Sequence, residues 1–267
     1  MVQPSPRTKL DNFYTGKKSY PFGDDLKQCA NFDSYESKTN LLTHPNGSSM
    51  LAECIKGLRF QPTDKINIYV AVLKEHEDKY KFIGKIDNQF KLEYQPKWIV
   101  LNKSTYSQCE TIYKAIKQEN IQENLSIKDC DNYFEIDLKD EDCVAVRSLY
   151  KETSVNPGNK SYIRLGHDGR ILQIKEKEII SPLFCCGLYS FKNTEDFIKT
   201  YEHRPYPFVS EIINHSLYCH HSFKHYEVEN YIDWGTKEDW LKYCQNFQTF
   251  FINISKAALS FTESFLT

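Results

Sequence analysis

Hydrophobic spacing changes character several times along this chain. Through residues 1–37 no apolar period is sustained, because Pro4, Pro6, Gly16, Pro21 and Gly23 interrupt it, and loops with one short strand at best are expected. From Lys38 the pattern becomes regular. Pro45-Asn46-Gly47 is turn chemistry, Ser48 or Ser49 can cap a helix, and Met50, Leu51, Cys54, Ile55 and Leu58 fall at helical spacing with Gly57 as the stop. Lys65–Val72 is rich in β-branched residues and predicts a central strand, followed by a helix over Glu77–Lys85. Trp98–Leu101 predicts a second strand. Ser107–Gln118 predicts a helix with Ile112, Ala115 and Ile116 on one face.

This alternation is βαβ grammar, which implies an α/β fold with a mostly parallel, mixed sheet covered by helices on both faces. Past Asp131 the strands come in succession: Val144–Val146, then Tyr162–Leu165 and Arg170–Ile174 joined through an Asp168-Gly169 hairpin, then Phe184–Phe191. Helices are expected at Thr194–Tyr201, Val209–Tyr218 and Lys237–Phe247, with Thr194 as a cap. No repeat and no linker interrupts them.

Composition narrows the class. With 267 residues, 40% hydrophobic and 26% charged, the chain is long enough for one large α/β domain with a sizeable core. A net charge of −2, from 34 basic and 36 acidic residues, supplies no basic footprint, so nucleic acid is not expected as a partner. No apolar run is long enough to span a membrane and the start lacks a signal-peptide core, so a cytoplasmic location is the expectation. The nine cysteines lack paired C-x-x-C spacing and read as reduced, near-core thiols. Cys219, His221 and His225 could ligate zinc only with a fourth ligand that the spacing does not offer.

Candidate chemistry centres on Leu125–Asp137. Apolar Leu125 and Ile127 run into Asp129, Asp131 and Asn132, as a strand does when it presents carboxylates at a sheet edge where ligands bind. Magnesium takes one or two carboxylates plus substrate phosphates, so a second carboxylate from elsewhere is needed. Asp233, ahead of the Gly235-Thr236 turn, is the candidate. The expected metal pair is therefore Asp131 and Asp233 with Mg2+. Trp98, Trp234 and Trp240 read as packing residues.

In their order these pieces resemble the nucleotidyltransferases that join an NTP to a sugar phosphate or a small phospho-alcohol, with release of pyrophosphate, on a GT-A-like fold. The resemblance covers roughly residues 38–245. It implies that Lys38 and Asn46-Gly47-Ser-Ser-Met50 match a lysine-containing segment and helix start, and that Gln108 in Ser107–Thr111 faces the nucleotide. Asp131 and Asp233 match the two metal aspartates. Glu176-Lys177 matches the pair reaching the acceptor phosphate, Gly187 belongs to a Gly-x-Tyr-x-Phe strand, and Glu211 lies near the acceptor. On this basis Lys38, Lys177, Asp131 and Asp233 are the expected catalytic set, and Arg7, Gln108, Glu176, Gly187 and Glu211 the substrate-binding set.

The resemblance implies an NTP (CTP or UTP) and a phosphorylated small-molecule acceptor as partners, a role in surface polysaccharide synthesis, and possible homo-oligomers. The glycine-rich phosphate loop that opens the family is replaced here by Pro4 and Pro6 before Arg7, with Tyr14–Lys18 as a possible substitute. Thr249–Ser255 resembles the first strand of a haloacid-dehalogenase-type phosphatase. Asn253 and Ser255 stand where that family needs aspartates, which excludes the phosphatase activity. The chain thus divides into an irregular segment 1–37 within the same domain, a nucleotidyltransferase-like domain 38–246 and a tail 247–267. Two alternatives stay open: a glycosyltransferase using Asp129-Cys130-Asp131, and a non-catalytic binding module of the same fold.

Overall fold

A computed structural model describes residues 44–60, 66–81, 83–90 and 95–247. Arg7, Lys38, the boundary after residue 37 and the Thr249–Ser255 stretch lie outside the described residues.

Helix α1 (Met50–Lys56) begins where expected, with the Ser49 hydroxyl accepting from the Ala52 N–H at 3.2 Å and Gly57 at the other end. A short strand β1 (Leu58–Arg59) follows. Strands β2 (Tyr69–Leu73) and β3 (Lys97–Leu101) pair in parallel from Tyr69 opposite Lys97 to Leu73 opposite Leu101. The helix expected over Glu77–Lys85 is two pieces, α2 (Lys74–Tyr80) and α3 (Ile83–Ile86), because Lys81 takes a left-handed φ of 50°. The Lys81 N–H closes the first piece onto the Glu77 carbonyl, while the Glu77 carboxylate accepts from the Ile83 N–H at 3.1 Å and starts the second. Helix α4 (Gln108–Glu119) is capped by Ser107 and ends at left-handed Asn120.

The stretch from Leu125 to Asp137 begins with the expected strand, which ends just before Asp129. That strand is β4 (Leu125–Lys128); β5 (Asn132–Asp137) follows it, and the two belong to different sheets. Strand β4 pairs antiparallel with β9 (Leu183–Phe191), which is nearly wholly buried. Strand β9 also pairs with β6 (Cys143–Ser148) and with β7 (Ser161–Leu165). The hairpin of β7 with β8 (Ile171–Glu176) turns at Gly169, as Asp168-Gly169 predicts. Strand β10 (Lys224–Glu227) adds in parallel to β6. The central strand of the largest sheet is therefore β9 rather than the Lys65–Val72 stretch, whose described part pairs only with β3.

Alternation along β9 explains why both faces of this sheet are apolar. Cys185, Tyr189 and Phe191 join the core under α4, α5 (Thr194–His203) and α6 (Val209–Tyr218), beside Ile116, Phe197 and Ile212. Phe184, Cys186 and Leu188 point the other way, onto Phe134, Ile136 and Tyr231 of the smaller sheet. That sheet runs β1–β5–β11, with β11 (Glu229–Asp233) antiparallel to β5. The fold class is α/β with mixed sheets. Among the described residues the last element is a helix through 237–247 (α7), and Trp234, Trp240 and Tyr243 pack round His44, whose Nε2 lies 2.7 Å from the Tyr243 hydroxyl. Trp234 and Trp240 are packing residues, each 1% exposed. Among the described residues no helix is long and apolar enough to cross a membrane.

Candidate active site

Because β4 and β5 lie in different sheets, the turn at 129–131 carries the chain from one to the other. Lys128 holds that turn from within. Its ammonium donates to the Asp129 carbonyl at 2.6 Å, the Asn132 carbonyl at 3.2 Å and Asn132 Oδ1 at 2.5 Å. The Asp129 N–H donates to the Gly187 carbonyl at 2.7 Å. Gly187 has φ +83°, and a Cβ there would lie 2.4 Å from Asp129 Oδ2, so no other residue admits Asp129 at this distance. Gln108, at the start of α4, donates from Nε2 to Asp129 Oδ1 at 2.5 Å. Burial, with Asp131 adding to it, pushes the Asp129 carboxyl up to about 7.

Register then brings in Asp233. In the β5–β11 pair Asp233 stands opposite Asn132, and the Trp234 N–H donates to the Asp131 carbonyl at 2.9 Å. Asp131 and Asp233 border the same small space above Gly235: a Cβ on that glycine would be 3.2 Å from Asp131 Oδ2 and 3.0 Å from Asp233 Oδ1. Two converging carboxylates are a donor set of the kind a hard cation takes. A lysine is already there. Lys160 Nζ lies 2.7 Å from Asp233 Oδ2, with the two side chains only 14% and 7% exposed. Burial raises the Asp131 pKa, Lys160 opposing and Asp233 reinforcing that rise. Burial also works against the Lys160 charge, but Asp233 and Asp131 outweigh it and hold the ammonium above the usual lysine range. Lys160 thus engages Asp233, one of the two carboxylates of the expected magnesium pair. Among the described residues no cluster of three or more metal-ligating side chains occurs, and His225 instead has its Nδ1 3.0 Å from the Gly169 carbonyl.

The facing wall is made at the end of β8 and the start of α6. Glu176 Oε2 accepts from the Ser210 hydroxyl at 2.7 Å and also from the Ser161 hydroxyl. Lys177 has φ +56°, donates its N–H to the Lys160 carbonyl at 3.0 Å and carries its exposed ammonium over the Phe208 ring, 5.1 Å from the centre. Gln108, Asp129, Asp131, Glu176, Lys177, Gly187 and Asp233 thus share one cleft. Glu211 is not in its lining. It turns back to cap α6, accepting the Phe208 N–H at 3.3 Å, and burial raises its pKa.

No protein-family model matches the chain, and no curated protein does. Solved structures do. The nucleoside-diphosphate-sugar pyrophosphorylase from Vibrio cholerae RC9 superposes with a TM-score of 0.63 at 15% identity, covering 80% of this chain and 94% of that one. The chain has a nucleotidyltransferase fold. The inositol-1-phosphate CTP transferase from T. maritima matches with a TM-score of 0.58 at 10% identity, over 80% of this chain and 87% of its own. An apo UDP-glucose pyrophosphorylase matches at 0.56 and 11% identity, over 79% and 90%.

Sequence reasoning missed Lys160, Lys128 and the two serines on Glu176. Lys160 sits among 34 basic residues with no periodicity to mark it, and only its place before the buried Tyr162 strand hints that it points inward. Ser161 and Ser210 are ordinary residues until β7 and α6 converge.

Proposed function

We propose that this chain is a nucleotidyltransferase that joins an NTP, CTP or UTP, to a phosphorylated small-molecule acceptor such as a sugar phosphate or phospho-alcohol, with surface polysaccharide synthesis as the setting. The observation that carries the reading is the convergence of Asp131, Asp233, Glu176, Lys177 and Gln108 on one cleft of this fold. In the reaction an acceptor phosphate oxygen attacks the α-phosphorus in line. The new P–O bond forms as the bond to the bridging oxygen breaks, and pyrophosphate leaves with that electron pair. No protein nucleophile is needed. The chain's part is to align two anions that repel and to neutralise the charge that builds between them. Lys177 meets the acceptor phosphate from the exposed wall, Glu176 orients the acceptor while its two serines fix its rotamer, and Gln108 faces the nucleotide. Magnesium at Asp131 and Asp233 is not assigned in this reading, because Lys160 already holds Asp233.

A second reading, a nucleotide-binding module without turnover, draws on the same saturation of Asp233. The glycosyltransferase alternative is less favoured, since Asp129 of its motif is bonded to Gln108 and packed on Gly187. Thermal shifts with each NTP, paired with a pyrophosphate-release assay over a panel of phosphorylated acceptors, separate the readings. A ligand at about 100 times its Kd stabilises by about 2.7 kcal/mol. A shift with pyrophosphate release supports the transferase, and a shift without it the binding module. The absence of a shift with any NTP sinks both.

A further inference from the structure

Asp233 has both carboxylate oxygens engaged. Its Oδ1 accepts from the Gly235 N–H at 3.0 Å, and its Oδ2 accepts from Lys160 Nζ at 2.7 Å. The same ammonium donates to the Tyr231 hydroxyl at 2.8 Å and lies 5.4 Å from the centre of that ring, which is itself packed on Phe134 and Phe184. An ammonium has three donors, so one remains after Asp233 and Tyr231 are served. The root of the side chain is fixed too. Lys160 follows the tight turn Pro157–Asn159, and its carbonyl accepts from the Lys177 N–H at 3.0 Å. The lysine therefore starts on the Glu176–Lys177 wall and ends on the carboxylate wall.

A magnesium ion bridging Asp131 and Asp233 would sit about 2.0–2.1 Å from an oxygen of each. At Asp233 it would meet the ammonium, and two cations on one buried carboxylate repel strongly. Driving the ammonium off would leave a buried charge without its partner, which is the costly half of breaking such a pair. We propose that Lys160 is the built-in cation of this cleft: its ammonium takes the place of a divalent ion at the Asp131–Asp233 pair, and its third N–H meets a phosphate oxygen of the nucleotide. The inference rests on the cleft being the nucleotide site proposed above. Its test contains no nucleotide, so either idea can fail without the other.

The probe is Mn2+ alone, titrated into the full chain and followed by the electron paramagnetic resonance of the free ion. Wild type and D233N are expected to bind Mn2+ equally weakly, because Asp233 offers the ion nothing while Lys160 is in place. K160M, which keeps the length and loses the charge, is expected to gain a site at least about tenfold tighter that disappears in the K160M/D233N double variant. K160Q replaces K160M if the latter does not fold, with the same expectation. Asp233-dependent Mn2+ binding by the wild-type chain overturns the proposal, and that arm needs no Lys160 variant. So does a Lys160 variant that folds and binds Mn2+ no better than wild type.

Discussion

The two walls of the cleft treat their charges in opposite ways. On the carboxylate wall, Asp129 is bonded to Gln108, Asp233 to Lys160 and Gly235, and Lys128 to the turn itself. On the facing wall Glu176 is held by two hydroxyls, yet Lys177 stands exposed with an aromatic ring beneath it. The carboxylate wall has its cations built in. The lysine wall has a cation to offer. Under the readings proposed above, a ligand anion would meet Lys177 on one wall and the remaining Lys160 N–H on the other, while substitutions on the carboxylate wall are felt first as lost stability.

The largest test of that contrast is Asp233→Ala. It strands the Lys160 ammonium in a buried place, and a loss of about 3–5 kcal/mol in urea unfolding is expected. A loss below about 1 kcal/mol would mean the pair is hydrated and the walls alike. Next comes Gly187→Ala, which combines a positive φ with a Cβ 2.4 Å from Asp129 Oδ2. About 2–4 kcal/mol should be lost, and the double variant with Asp129→Gly should regain part of it, as thermal melts would show.

Asp129 gives the pH dependence. Its carboxyl is raised to about 7 in the fold, so the native state holds the proton more tightly than the unfolded chain does. Stability from this group therefore falls as pH climbs from about 4 to about 7. Asp129→Asn lacks that fall. Its stability relative to wild type should improve across the same window by on the order of 4 kcal/mol and then level off. A flat difference would show that Asp129 titrates normally. The smallest structural effect belongs to Lys177→Ala, within about 0.5 kcal/mol in denaturant. Its phosphate-ligand affinity should nevertheless drop about tenfold by calorimetry. Unchanged affinity would remove the distinction between the walls.

What the sequence conveyed follows from how local each signal is. Ser49 before Met50, Ser107 before Gln108 and the Asp168-Gly169 turn are short-range chemistry, and each stands where periodicity puts it. The Glu77–Lys85 helix failed because a left-handed Lys81 leaves no mark in a run of charged residues. The strand expected from Leu125 ends ahead of the aspartates, as β4 does, but β5 went unread, because its place is set by pairing with the distant β11. At the site, Asp131 and Asp233 could be named because carboxylates next to turns stand out. Lys160 could not, because burial of one lysine among many is decided by side-chain contacts between two sheets, such as its hydrogen bond to Tyr231, 71 positions away.

The hand-over between sheets at residues 129–131 has a mechanical side. One end is pinned to the large sheet by the Asp129 amide on Gly187, and the other to the small sheet by the Trp234 amide on Asp131. The two layers cannot part or slide without opening one of those bonds, so this pair of amides is a gauge of interlayer motion. Their hydrogen-exchange rates, compared with and without a bound anion, would reveal whether the cleft breathes as a hinge or stays a fixed seat.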